Sequence, residues 1–235
     1  MAEKPQDQDF IVTEAIGKTE HFIDQNKKSL GIIIAALVLA VGGYLFYQRV
    51  YVAGKETDAQ KELFRAEEYF KNDSLKLAIN GDGNHPGLEE IVNEYSVSPS
   101  GNLARYYLGM AYMKQKEYDK AIDMLKSYDV KDEVTGSIVL GAIGDAYMEL
   151  KNTEEAATYY EKASKENPNT FTTPIMLMKW AGALESKGNF KGAIDVYEHL
   201  KKDYPASPEG AQIDKYIARA NSLAGNVFIY LSSFR

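Results

Sequence analysis

Few residues of this sequence could carry out chemistry, and they are scattered. The chain has three histidines, His21, His85 and His199, and it has no cysteine. The absence of cysteine excludes disulfides, thiolate metal sites and cysteine nucleophiles. The sequence also contains neither a GxxxxGK[ST] nor a GxGxxG phosphate-binding loop. We therefore predict no catalytic residues, no metal site and no bound cofactor.

One loop superficially suggests a calcium site. The segment Asn80-Gly81-Asp82-Gly83-Asn84 offers oxygen ligands at alternate positions, as the start of an EF-hand loop does. The sixth position of such a loop must be glycine and the twelfth glutamate, but here they are His85 and Ile91. We interpret this segment as a glycine-rich turn.

The charge balance limits the class of partner. The chain has 27 basic and 34 acidic residues, which give a formal net charge of −7. Because phosphate backbones are bound by basic surfaces, this balance argues against nucleic acid as the partner. The average composition, with 45% hydrophobic and 26% charged residues, is ordinary for a soluble protein. The hydrophobic residues are nevertheless unevenly distributed.

The elements that would position a site begin with an apolar segment. The 20 residues between Lys28 and Arg49 carry no charge. A helix of that length spans ~30 Å, which matches the hydrocarbon thickness of a bilayer. Aromatic residues cluster at its C-terminal end: Tyr44, Phe46, Tyr47 and Tyr51. A polar stretch of 28 residues precedes the segment, which argues against a signal peptide. We predict one transmembrane helix at residues 29–52, in contact with the lipid bilayer.

The flanks of this segment leave two questions open. Basic residues near its two ends are equal in number, so the positive-inside rule does not decide the topology. Residues 1–28 form an N-terminal tail, for which both a helix and a partly ordered conformation are compatible with the sequence.

The rest of the chain contains internal repeats. Three segments align on a small residue, Gly109, Gly144 or Ala181, with steps of 35 and 37 residues. In each segment a large apolar residue follows three positions later and an alanine twelve positions later. This pattern resembles the tetratricopeptide repeat, a helix–turn–helix unit of 34 residues. The small residues would let the first helix of each pair (helix A) approach the second (helix B).

The repeats predict an all-α fold, with a single transmembrane helix followed by a tetratricopeptide-repeat α-solenoid. The repeat domain would cover residues 53–225, with about four helix pairs and a capping helix that ends at Gly225. A weaker first pair would comprise helices at 57–71 and 87–95, joined by a long connection. Residues 226–235 would form a C-terminal tail that packs back on the solenoid, frays, or donates a strand to a partner.

In such an array the A helices line an extended binding surface. Counting from the aligned small residues, we predict a protein-binding groove from the inward-facing positions: Leu103, Tyr106, Met110, Met113, Ile138, Met148, Ile175, Met178 and Glu185. Methionine is flexible and polarizable, and it suits surfaces that bind varied apolar partners. The alternative is that some of these residues merely pack between adjacent A helices. Under the groove hypothesis, replacing Met110 and Met178 by glutamate would abolish partner capture and preserve the helices.

The order of tail, single span and short repeat array resembles the bacterial ancillary SecYEG translocon subunit family (YfgM-like), particularly members from Bacteroidota. The NGDGN…HPG connection and the closing KYIARA segment, Lys215 to Ala220, also carry this resemblance. It implies an inner-membrane protein with a cytoplasmic N-terminus and periplasmic repeats. Its partners would be SecYEG, emerging secreted or outer-membrane proteins, and periplasmic chaperones. The resemblance implies no enzymatic activity. The alternative is a tethered scaffold for another envelope assembly complex.

Overall fold

The structure, a computed structural model, describes residues 6–132 and 134–232, with side chains for residues 23, 25–132 and 134–225. In these ranges the chain forms helices and no strand, which confirms the all-α prediction. The helices are α1 (Gln6–Phe46), α2 (Ala53–Lys71), α3 (Leu75–Asn80), α4 (Leu88–Glu94), α5 (Pro99–Gln115), α6 (Tyr118–Ser127), α7 (Thr135–Glu149), α8 (Thr153–Lys165), α9 (Thr173–Ser186), α10 (Phe190–Asp203) and α11 (Ile213–Ser232). A π-helical segment, Tyr47–Val52, lies between α1 and α2, and a 3₁₀ turn, Gly210–Gln212, precedes α11.

Tertiary contacts divide the chain into two units, with the boundary between Gly54 and Lys55. The first unit consists mainly of α1, whose 41 residues would extend over ~60 Å at the usual helical rise. Large apolar side chains of its C-terminal half are exposed, among them Ile32 and Leu39 at 70% and 77%. An 18-residue apolar window here is long enough to cross a membrane, and none of it is buried. Helix α1 begins at Gln6, so residues 6–28 of the predicted tail are helical.

The second unit contains three regular helix pairs, α5–α6, α7–α8 and α9–α10. A residue with positive φ follows each A helix within two positions: Lys116, Lys151 or Gly188. At the next two B helices, the side chains of Asn152 and Asn189 accept a hydrogen bond from the backbone N–H three residues later. Such N-caps satisfy donors that a helix start leaves free. These residues form the turns between the paired helices.

Close approach within the pairs explains the small residue at each alignment position. A Cβ atom on Gly109 would lie 2.7 Å from Leu125 Cγ on α6. A Cβ atom on Gly144 would lie 2.6 Å from Cε1 of Tyr160 on α8. These distances are too short for a carbon contact, so α5 and α7 can reach their partner helices only through glycine.

Among the described side chains, the buried apolar residues form four clusters in chain order. The first joins α2 to α6, the second α6 and α7, the third α8 and α9, and the fourth α9 to α11. Neighbouring clusters share partly buried side chains. Met113 contacts the first and second clusters, Tyr147 the second and third, and Trp180 and Leu184 the third and fourth.

Two expectations at the ends of the repeat domain are wrong. The long connection between the first two helices contains a further helix, α3, whose Ala78 and Ile79 are buried in the first cluster. Helix α11 continues through Gly225 to Ser232, so the predicted helix end at Gly225 and the strand interpretation of residues 227–231 both fail. A single glycine costs a helix only ~1 kcal/mol, which does not end a 20-residue helix. Residues 1–5 and 233–235 of the predicted tails lie outside the described residues.

Candidate functional site

The nine predicted groove residues lie on α5, α7 and α9, the A helices of the three regular pairs, and we call their surface the A-helix face. Six of them are partly buried and contact the core clusters: Leu103, Tyr106, Met110, Met113, Met148 and Met178. For these six, the structure supports the alternative of packing between helices. A glutamate at Met110 or Met178 would disturb this packing as well as any partner.

Two isoleucines are the most exposed of the nine predicted groove residues. Ile138 on α7 and Ile175 on α9 are 37% and 38% exposed. They occupy equivalent positions in successive repeats, 37 residues apart in the sequence. A partner segment running across the A helices could contact both.

Glycines show where the A-helix face is closed and where it is open. A Cβ atom on Gly141 would lie 2.7 Å from Met176 Sδ, so α9 closes over α7 at this point. A Cβ atom on Gly182 would meet nothing within 4 Å. The surface around Gly182 therefore has room for a partner side chain.

An ion pair links α7 to α9 at an inward position of the second repeat. Lys179 Nζ lies 2.8 and 2.7 Å from the two carboxylate oxygens of Asp145. The Tyr160 hydroxyl donates a hydrogen bond of 2.7 Å to the same carboxylate. Burial, and then this hydrogen bond to Asp145, raise the pKa of Tyr160 above its ordinary value. The phenol therefore stays neutral and keeps donating to Asp145 at physiological pH.

A second ion pair links α9 to α11. The Arg219 guanidinium lies 2.5 Å from Glu185, one of the nine predicted groove residues. The Glu185 side chain is only 13% exposed, and its other oxygen is buried without a hydrogen-bond partner among the described residues. Burial of Tyr197, followed by the negative charge of Glu185, raises the pKa of the Tyr197 hydroxyl to about 12. Glu185 therefore holds two helices together.

The sequence contains a signal for these ion pairs that composition alone does not reveal. Asp145 and Lys179 are 34 residues apart, and so are Glu185 and Arg219. This separation equals one tetratricopeptide repeat, so each pair joins neighbouring repeats. Opposite charges one repeat apart at inward positions could have predicted both contacts.

Of the three histidines, the structure describes the side chains of His85 and His199, and each faces a single carboxylate. Within the described ranges, no group of three or more His, Asp or Glu residues could hold a metal ion. His85 Nδ1 lies 3.1 Å from Glu62, and His199 Nε2 lies 3.0 Å from Asp203, which is on its own helix.

The Asp82 carboxylate belongs to the turn itself. Its Oδ1 accepts hydrogen bonds from the backbone amides of Asn84 and His85, and its Oδ2 accepts one from the Tyr69 hydroxyl. The Tyr69 hydrogen bond, followed by those from His85 and Asn84, lowers the pKa of Asp82 to about 2. The turn requires glycine at position 81. Its φ is +83°, and a Cβ atom there would lie only 2.3 Å from the carbonyl oxygen of His85.

Comparison with known proteins identifies the repeat type. Residues 103–128, 137–170 and 176–207 match family models described as tetratricopeptide repeat. The fold is thus all-α with a tetratricopeptide-repeat array and an N-terminal helix of membrane-spanning length. Among curated proteins, none matches the sequence.

Solved structures with similar folds are distant in sequence. One contains nearly identical TPR-like repeats of a kinesin light chain type from Podosopora anserina, with TM-score 0.56 and 16% identity, covering 73% of this chain and 89% of that chain. A single-substitution variant of it has TM-score 0.55, 16% identity and coverage of 73% and 88%. The Pseudomonas aeruginosa pilF structure has TM-score 0.48 and 17% identity, covering 82% of this chain and 88% of that chain.

Proposed function

We propose that this chain is a membrane-anchored module of the Sec translocon that binds the channel, periplasmic chaperones, or secreted and outer-membrane proteins as they emerge. Tetratricopeptide arrays mediate protein–protein interaction, and three repeats match that family here. The observation that carries the proposal is this array on the same chain as a membrane-length helix with exposed apolar side chains.

The anchor would tether the repeats to the membrane. We propose that residues 29–52 cross the bacterial inner membrane, with a cytoplasmic N-terminus and periplasmic repeats. Tyr47 and Tyr51 stack with ring centroids 5.3 Å apart at the C-terminal end of the apolar segment, where aromatic residues favour the membrane–water interface. Alkaline phosphatase or green fluorescent protein fused after Arg235 tests this topology, since α11 continues past Gly225. Phosphatase activity supports it, and fluorescence without phosphatase activity reverses it.

Partners would contact the A-helix face around Ile138, Ile175 and Gly182, where side chains are exposed or space is open. These residues are suited to apolar segments of varied sequence. A client that leaves the channel unfolded presents such segments. The proposal therefore assigns this face to holding clients before they fold.

Site-specific photocrosslinking in cells tests the partner. A photoreactive phenylalanine at Ile175 or Gly182 is expected to crosslink to Sec channel subunits or to nascent secreted proteins. The same residue at Lys191, on the B helix α10, serves as the control and is expected to give neither product. Crosslinks to a different envelope assembly, without the channel, would support the tethered-scaffold alternative and refute the translocon assignment.

Glutamate substitutions test the face itself. Ile138→Glu with Ile175→Glu is expected to reduce client crosslinking from a photoreactive residue at position 182. The helical content should remain, because both isoleucines are more than one-third exposed. Unchanged crosslinking would exclude the A-helix face as the client site.

A further inference from the structure

A second surface of the repeat domain has the features of a binding site, and it lies apart from the A-helix face. It is a groove of about 330 Å³ formed by α6, α7, α8 and the linker that follows α6. Its wall includes Val130, Val139, Leu140 and Ile143, which are apolar. The volume falls at the lower end of the range typical of ligand pockets. The groove can therefore accommodate a few side chains of a partner.

Two lysines line this groove, and they share one aromatic ring. Lys126 Nζ lies 5.4 Å from the centroid of the Tyr159 ring, and Lys162 Nζ lies 5.0 Å from the same centroid. Lys126 Nζ also lies over the Tyr147 ring and donates a hydrogen bond of 2.9 Å to its hydroxyl. These contacts position both ammonium groups at the groove, and the Tyr147 hydrogen bond raises the pKa of Lys126.

Ten of the 18 lysines in the repeat domain pair with a carboxylate, whereas these two contact tyrosines. Ten lysines of the repeat domain lie within 4.0 Å of a carboxylate: Lys55, Lys61, Lys71, Lys114, Lys120, Lys131, Lys165, Lys179, Lys187 and Lys201. Among the described residues, Lys126 and Lys162 contact tyrosines and form no such ion pair. One carboxylate, Glu166, also lines the groove, beside Gly136. Two positive charges without carboxylate partners at an apolar groove are complementary to an anionic, partly apolar ligand.

We propose that this groove binds a short segment of a partner protein in which an aspartate or glutamate is flanked by apolar side chains. The carboxylate of the bound segment would form ion pairs with Lys126 and Lys162. The flanking apolar side chains would cover Val130 and Leu140, whose side chains are at least partly exposed. The site is independent of the A-helix face, so it would let the array hold two proteins at once.

Peptide binding to the full-length protein in detergent micelles tests the proposal. The probes are acetylated, amidated nonapeptides with a central aspartate or glutamate and with leucine, isoleucine, valine or phenylalanine on both sides. A matched set has asparagine or glutamine at the centre. Binding is measured by the anisotropy of a neutral fluorophore. We expect saturable binding of acidic peptides, and about tenfold weaker binding of their amide counterparts, since a charge-assisted contact is lost.

Variants locate the binding site. The double substitution Lys126→Gln and Lys162→Gln is expected to weaken acidic-peptide binding about tenfold or more. Lys165→Gln is the matched control. Lys165 lies on α8, as Lys162 does, but it pairs with Glu161, so its replacement should leave binding unchanged. Val130→Asp, at a 37% exposed linker position, would supply a carboxylate within the groove and should also weaken binding.

Three results would overturn the proposal. They are the absence of binding by every acidic peptide, equal binding by the amide set, or unchanged affinity of the double lysine variant. Failure here would leave the A-helix face untouched, because none of these substitutions lies on α5, α7 or α9.

Discussion

Gly144→Ala and Gly182→Ala should change the free energy of unfolding by clearly different amounts. Gly144 on α7 and Gly182 on α9 are both inside A helices, so the helix-propensity gain of ~1 kcal/mol is the same for both. At Gly144, the new Cβ atom would lie 2.6 and 2.7 Å from two ring atoms of Tyr160. At Gly182 it would meet nothing within 4 Å.

The Tyr160 ring cannot easily move aside. It is only 3% exposed, and its hydroxyl is held by Asp145 at 2.7 Å. Overpacking of a well-packed core costs ~1–3 kcal/mol, so Gly182→Ala should be more stable than Gly144→Ala by about that amount. Gly141→Ala should fall between them, because the atoms it meets, Sδ and Cε of Met176, belong to the end of a flexible side chain.

Trp180 provides the assay, because it is the single tryptophan of the chain and lies at the boundary of two core clusters. Its fluorescence during urea unfolding in detergent micelles reports on the repeats without a signal from the membrane helix. Far-UV circular dichroism serves as the second probe. A difference below ~0.5 kcal/mol between the Gly144 and Gly182 variants, the usual range for neutral surface changes, would refute the close-approach explanation.

Three further predictions concern polar contacts. Lys179→Ala should destabilise the repeats by ~0.5–1 kcal/mol, because its ion pair with Asp145 is about one-third exposed. Asp145→Ala should destabilise them more, by ~1–3 kcal/mol, because it also leaves the Tyr160 hydroxyl without its acceptor. Equal losses in urea unfolding would contradict this order. Glu56→Ala should destabilise the repeats by ~1–2 kcal/mol, because its carboxylate accepts hydrogen bonds of 2.8 and 2.7 Å from the Ser100 amide and hydroxyl at the start of α5. Glu68→Ala, which removes an exposed ion pair with Arg65 on α2, is the control and should have little effect. Because the pKa of Asp82 is lowered to about 2, its contribution to stability is complete above its ordinary pKa of 3.8 and is lost as pH falls through about 2. Thermal unfolding between pH 5 and 2 should therefore depend less on pH in Asp82→Asn than in the natural chain, and parallel curves would refute it.

The repeat architecture could be predicted because each helix pair repeats the same physical requirement. Gly109 and Gly144 occur where helix A approaches helix B, and the turn residues between the paired helices follow at fixed distances. Helix α3 was missed because six residues are too few to show a helical period. The end of α11 was misjudged because the usual preference for glycine after a helix was applied to a glycine inside one.

The repeat register predicts which helix carries each of the nine predicted groove residues, but it does not predict whether the side chain is exposed or packed. A residue's place on α5, α7 or α9 follows from the repeat register. Whether Met113 points to a partner or packs between two clusters depends on the distance between neighbouring helices, which no local pattern encodes. The groove at Lys126 and Lys162 depends on three helices and a linker meeting, and neither lysine is unusual in its own helix.

The division of the core into four clusters has a consequence for cooperativity. Neighbouring clusters share the side chains of Met113, Tyr147, Trp180 and Leu184, each of which is only partly buried. In a linear array, whether the molecule unfolds as one unit or repeat by repeat is decided by the coupling between neighbours. Because few side chains are shared at each junction, trimming one of them is expected to weaken the coupling between two neighbouring clusters more than the packing within either. Such a variant would unfold over a broader range of urea concentration, since the repeats on the two sides of the weakened junction would no longer unfold together.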